Sequence, residues 1–126
     1  MTTWTASQLD AVAGADEIQV APDRADGTPG PLVIIWAVRH GDDVYARSAR
    51  GPQGAWYRRA LASGRGRIQV DGVDYAARFV DAAGDADHAA LDAAYHAKYD
   101  RYGPRVVGPV VGDAARAVTV RIEPAE

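Results

Sequence analysis

Cysteine is absent from this chain, and with it go disulfides, thiol nucleophiles and thiolate metal sites. No apolar run approaches the ~18 residues that a membrane-spanning helix needs. The opening stretch, MTTWTASQLD, lacks a basic segment followed by an apolar one, so no signal peptide is expected. Gly-x-Ser-x-Gly, His-Glu-x-x-His and P-loop patterns are also missing. The three histidines offer no metal pair. His40 falls in a turn beside Asp42 and Asp43, and His88 and His96 point ~80° apart on an ideal helix. A cytoplasmic protein without a metal site is the simplest expectation.

What is present is one domain, residues 1–126, of ordinary composition: 48% hydrophobic and 25% charged. Net acidity argues against nucleic acid as the main partner. The charge is unevenly placed. VYARSARGPQGAWYRRALASGRGRIQV, from Val44 to Val70, carries six arginines and no Asp or Glu. The whole chain sits at −3 and this stretch at +6, so the rest carries −9.

The local patterns are readable. Thr5 and Gln8 form a capping box, which starts a helix running to about Ala13. EIQVAP alternates as a half-buried strand. LVIIWAVR, Leu32 to Arg39, is apolar at both parities, so both of its faces should be covered, by a helix or by a second subunit. HGDD turns it into VYARS. GPQGAWYRRALASG reads as a short helix capped by Gly64. Asp71-Gly72 marks a two-residue hairpin. The longest helix places His88, Leu91, Tyr95, Lys98, Tyr99 and Tyr102 on one face. PRVVGPVVG reads as an apolar linker, either a pocket lid or core filling. RAVTVRIEP closes the chain with Val118, Val120 and Ile122 inward. About six antiparallel strands and about three helices make a mainly β (α+β) fold, a small barrel with helices packed on it.

Two readings fit the arginines. They are solvated and paired with the chain's many acids, or they form an anion site. Gly51 and Gly54 let the loop turn its amides toward an oxyanion, and the helix starting near Ala55 adds unpaired N–H groups. Arg47 shares parity with Tyr45, and Ser48 with Val44 and Ala46; one set faces the interior. The Tyr95, Tyr99 and Tyr102 cluster serves as core, or as a proton source if it faces the same pocket as Ser48.

WTASQLDAVAGADEIQVAP, RADGT, GAWYRRALASGRGRI, AAYHAKYDRYGPRVVGPVVG and VTVRIEP together resemble family 2255 of the domains of unknown function. That family is similar in turn to the flavin-reductase-like split barrels, above all the deazaflavin-dependent nitroreductases. The resemblance implies a split barrel, a homodimer, and a phosphate held by the strand-to-helix loop. It places Ser48 at a coenzyme-binding Ser, Arg50 and Gly51 at a Gly-Gly pair, and Trp56-Tyr57 at the Trp-Tyr that opens the helix. Ala49 stands where a Lys is expected, Arg59 at a usual Asn, and Ser63-Gly64 at Asn-Pro. The implied site is Arg47, Ser48, Arg50, Gly51, Trp56 and Arg59, receiving FMN or the deazaflavin coenzyme, with Arg47 or Arg50 replacing the Lys charge. The departures favour an alternative, a cofactor-free barrel for a small anionic ligand or a partner protein. A non-redox barrel enzyme is a further alternative. No membrane partner is expected.

Overall fold

The computed structural model describes residues 3–125. Its elements are α1 (Ala6–Gly14), β1 (Ile18–Pro22), β2 (Val33–Ile35), β3 (Ala37–His40), β4 (Asp43–Arg47), α2 (Ala55–Ser63), β5 (Arg65–Val70), β6 (Val73–Asp81), α3 (His88–Tyr99), α4 (Pro104–Val107), α5 (Asp113–Arg116) and β7 (Thr119–Pro124). The Thr5–Gln8 capping box forms in both directions. Asp71 and Gly72 both take positive φ, 50° and 81°, the type I′ geometry whose twist matches the strands it joins. That turn sets the β5–β6 register from Val70↔Val73 to Arg65↔Arg78.

The strands form one antiparallel sheet in the order β2-β1-β5-β6-β7-β4-β3. Its two edge strands are consecutive in the chain, with Trp36 alone between them. Residues 33–40 are thus one bent strand, pairing with β1 in its first half and with β4 in its second. This closes the sheet into a barrel. The six staves read from sequence number seven because Leu32–Arg39 breaks at Trp36. The β3–β4 ladder ends at Ala37↔Ala46. Beyond it Trp36 and Arg47 diverge, and the wall splits open.

Strand alternation sorts side chains into two cores. Val20, Ile35, Ala37, Val44, Ala46, Ile68, Phe79, Val120 and Ile122 fill the barrel, joined by Leu9 and Val12 of α1 and by Trp56, Tyr57 and Ala60 of α2. A second core lies outside the wall, where Leu91, Tyr95 and Tyr99 of α3 cover Val38 and Tyr45. Both faces of β3 are therefore buried, the outer one by a helix. The apolar linker is partly helical: α4, α5 and short 3-10 turns replace the expected irregular run, and they bury Val107, Val110 and Ala115. The prolines at 104 and 109 stand at first-turn positions of these pieces, where a missing N–H costs nothing.

The same helix face buries polar groups. Lys98 Nζ donates to the carbonyls of Val12 (2.9 Å) and Ala37 (2.6 Å). Burial lowers its pKa from 10.5 to about 8, against the opposing pull of Asp16. The unfolded chain binds more protons than the folded one between those values, so stability rises with pH across the window. Burial raises the Tyr95 and Tyr99 hydroxyls above their ordinary 10.0. Their contribution is present below that pH and lost above it. Urea denaturation should therefore show stability climbing from pH 8 to about 10 and then falling. Lys98→Met should lack the climb and keep the fall.

Candidate functional site

Strand parity places Tyr45 and Arg47 on the outer face of β4 and Ser48 with the inner set, but Arg47 does not reach solvent. It is 2% exposed. Its Nε donates to Thr119 Oγ1 (2.9 Å), and Nη1 donates to Asp92 Oδ1 (2.5 Å) and to the Val110 carbonyl (2.9 Å). Nη2 lies 3.1 Å from His88 Nδ1. Guanidinium has only donors, so His88 Nδ1 accepts. The other ring nitrogen, Nε2, then donates to the Ala83 carbonyl at 2.8 Å. The Tyr95 ring lies against the guanidinium carbon, 5.5 Å from its centroid. Asp92 also accepts from Arg116 Nη2 at 2.8 Å. Burial alone would raise the Asp92 carboxyl, but the hydrogen bonds from Arg116 and Arg47 outweigh it and hold the pKa below the ordinary 3.8.

After Arg47 the chain turns sharply. Ser48 N–H still bonds the Val118 carbonyl, just ahead of β7. Its Oγ donates to the Gly51 carbonyl at 2.7 Å. Gly54 precedes α2, which has no side-chain cap at its start. A Cβ on Gly54 would stand 2.3 Å from Ser48 Oγ, so only glycine leaves this hydrogen bond intact.

The split in the barrel opens here into a cavity of about 510 Å³. One side is the strand run Val33–Trp36. The other is the loop, with Arg47, Ser48, Ala49, Arg50, Gly54, Ala55 and Trp56; Val106 and Val110 wall it beyond, and Glu17 joins the lining. The structure thus brings Arg47, Ser48, Arg50 and Trp56 to one cavity. Arg50 is exposed and Trp56 is 8% exposed, shared with the barrel core. Gly51 supports the loop with φ 66° and a carbonyl for Ser48. Arg59 packs elsewhere, with its Nε beside Gly30, and that nitrogen finds no hydrogen-bond partner among the described residues. Neither Arg50 nor Arg59 pairs with a carboxylate among the described residues. Tyr95 and Tyr99 are fully buried and do not line the cavity. Tyr102, 42% exposed, touches it only through Trp36.

Sequence reading missed the Val33–Trp36 wall, Glu17 and Asp92. Asp92 was findable, because His88, Asp92 and Tyr95 are spaced by four and three on the helix that faces Arg47. Among the described residues no group of three or more His, Asp or Glu could hold a metal ion, and no helix is long and apolar enough to cross a membrane.

Two stability outcomes follow. Asp92→Ala leaves a buried guanidinium uncompensated and should cost about 3–5 kcal/mol in urea denaturation. In the wild type the Asp92 contribution is present above pH 3.8 and drains away as pH falls through the lower folded-state value. Gly54→Ala should destabilise by about 1–2 kcal/mol by displacing Ser48. In a Ser48→Ala background the same change should cost measurably less, a coupling that a double-mutant cycle reads directly.

Comparison with known proteins agrees with this architecture. No curated protein matches the chain. Among solved structures it is similar to the conserved hypothetical protein Rv2991 from Mycobacterium tuberculosis. The TM-score is 0.57 at 12% identity, over 98% of this chain and 81% of that one. That likeness concerns the fold. A family model, described as uncharacterised protein conserved in bacteria, matches residues 8–122. That span takes in most of α1, the whole loop-and-cavity region and most of β7, so the chain belongs to the DUF2255 family.

Proposed function

We infer that the cavity holds a phosphorylated planar coenzyme, FMN or the deazaflavin coenzyme, and that the protein is an oxidoreductase of the split-barrel kind. One observation carries the reading: the cavity lies where the Ser48–Gly54 loop meets the uncapped start of α2. Its volume falls within the ~300–1,000 Å³ of small-molecule sites. Its lining divides by chemistry. Val33, Ile35, Trp36, Trp56 and Val110 offer an apolar wall for a ring, and Arg50 with the first-turn N–H groups of α2 offers an anion-binding end. Arg47 is committed to Asp92, so Arg50 takes the charge that the nitroreductase pattern would supply with a lysine. A bound coenzyme would supply the hydride chemistry; the protein binds, orients and shields it. A homodimer belongs to the same proposal, supported by Ile34 and Val106, 60% and 49% exposed at the cavity.

A second reading is favoured by a separate observation. Arg47 is neutralised and Ala49 has no charge to offer, which leaves the loop poorer in phosphate ligands than the nitroreductase pattern implies. A cofactor-free barrel for a small anionic ligand would look like this. Titration decides between them. FMN or the deazaflavin coenzyme should quench protein fluorescence with a Kd below ~100 μM, and Arg50→Glu should weaken binding at least about tenfold. Riboflavin, without the phosphate, should bind less tightly than FMN. Failure of both coenzymes to bind at ~100 μM overturns the oxidoreductase reading and favours the cofactor-free barrel.

A further inference from the structure

We propose that Trp36, the residue at which the bent strand changes partner, is the stacking platform on which the cavity seats a planar ring. This deepens the coenzyme reading and rests on it for the ligand, but its geometry stands separately. Trp36 lines the cavity and is only half-buried. One face of its indole is filled by Tyr99, with centroids 4.0 Å apart and planes 5° from parallel. Tyr102 lies 5.5 Å from the indole and 6.4 Å from Tyr99. That is too close to Tyr99 for the two tyrosines to sandwich the indole, so Tyr102 sits at its edge. Neither tyrosine covers the second face, and Trp36 lines the cavity.

The platform is held rigidly from behind. The Tyr99 hydroxyl accepts from Ala37 N–H at 3.2 Å and donates to the Asp16 carbonyl at 2.8 Å. These bonds fix the ring against which Trp36 lies, as a preorganised site requires. Backbone parity adds a second argument. Ala37 donates its N–H to the Tyr99 hydroxyl, and its C=O accepts from Lys98 Nζ at 2.6 Å, both away from β4. Alternation then points the N–H and C=O of Trp36 the other way, into the split where the β4 ladder has ended. A planar heterocycle with a donor–acceptor edge meets both features: its face on the indole and its edge on the open strand. The ligand class is therefore a planar heteroaromatic ring carrying an anionic arm long enough to reach Arg50.

The test uses the whole chain and three probes: FMN, the deazaflavin coenzyme, and anilinonaphthalene sulfonate, an aromatic anion unrelated to flavins. Affinity and quenching of tryptophan emission are read for wild type, Trp36→Ala and Trp36→Phe. Wild type should bind at least one probe. Trp36→Ala should lose about tenfold or more in affinity, while Trp36→Phe, which keeps a ring, should stay within about threefold. Because Trp36→Phe preserves the Tyr99 packing, its smaller quenched fraction reads the platform even if the alanine variant does not fold. Unchanged affinity in Trp36→Ala, with unchanged quenching in Trp36→Phe, overturns the proposal. So does failure of every probe to bind wild type. If only the sulfonate binds, and does so through Trp36, the platform stands and the coenzyme reading falls. If a coenzyme binds without regard to Trp36, the coenzyme reading stands and the platform falls.

Discussion

A buried guanidinium organises this protein. Arg47 leaves the barrel wall where the wall ends and is taken out of water entirely. A charge so placed is stable only with its partners complete, and here four partners come from three segments. Asp92 and His88 come from α3, the Val110 carbonyl from the turn after α4, and Thr119 from β7. Asp92 passes the connection on to Arg116 of α5. The helical layer over one face of the barrel is thus tied to a single side chain, which also begins the loop forming one side of the cavity. The position of Val110, and with it part of the cavity wall, follows from that carbonyl's bond to Arg47.

The cavity is the complementary consequence of the strand break. The strand that closes this sheet pairs with β1 through its first half and with β4 through its second, and the change falls at Trp36. On one side of Trp36 the strand follows β1, on the other β4. Neither half is paired on both sides, so a gap opens between the first half of the bent strand and the chain beyond Arg47. Glycine at 54 lets Ser48 hold the loop closed across Gly51. The start of α2 is thereby delivered to the rim without a capping side chain of its own.

Local signals were legible where one residue type does one job. The capping box at Thr5, the turn at Asp71-Gly72, the left-handed cap at Gly64 and the inward set Val118, Val120, Ile122 all follow from short-range chemistry and appear as expected. The barrel was legible too, because hairpins and alternation leave few other arrangements. The break at Trp36 was not. LVIIWAVR carries no proline or glycine to mark it, and the change of partner depends on pairing with β1 and β4, which lie elsewhere in the sequence. The linker was misjudged for a related reason. Pro104 and Pro109 look like punctuation in one dimension, but each starts a short helical turn whose valines meet the core of α3.

Arg47 is the instructive case for the site. A run of arginines in an acidic chain suggests one function for all of them, yet the fold divides them by position. Arg47 is spent inside the structure, Arg67 pairs with Asp74 at the surface, Arg59 packs by Gly30, and Arg50 alone of the six stands exposed at the cavity. Sequence charge therefore overstates the electrostatics available to a ligand. What the site has instead is shape: an indole backed by a tyrosine, an open strand edge, and one arginine beside a helix start. Under the proposed reading such a site would select by ring and reach before charge, because an indole packed on Tyr99 is fixed in place while a single exposed guanidinium is screened by salt.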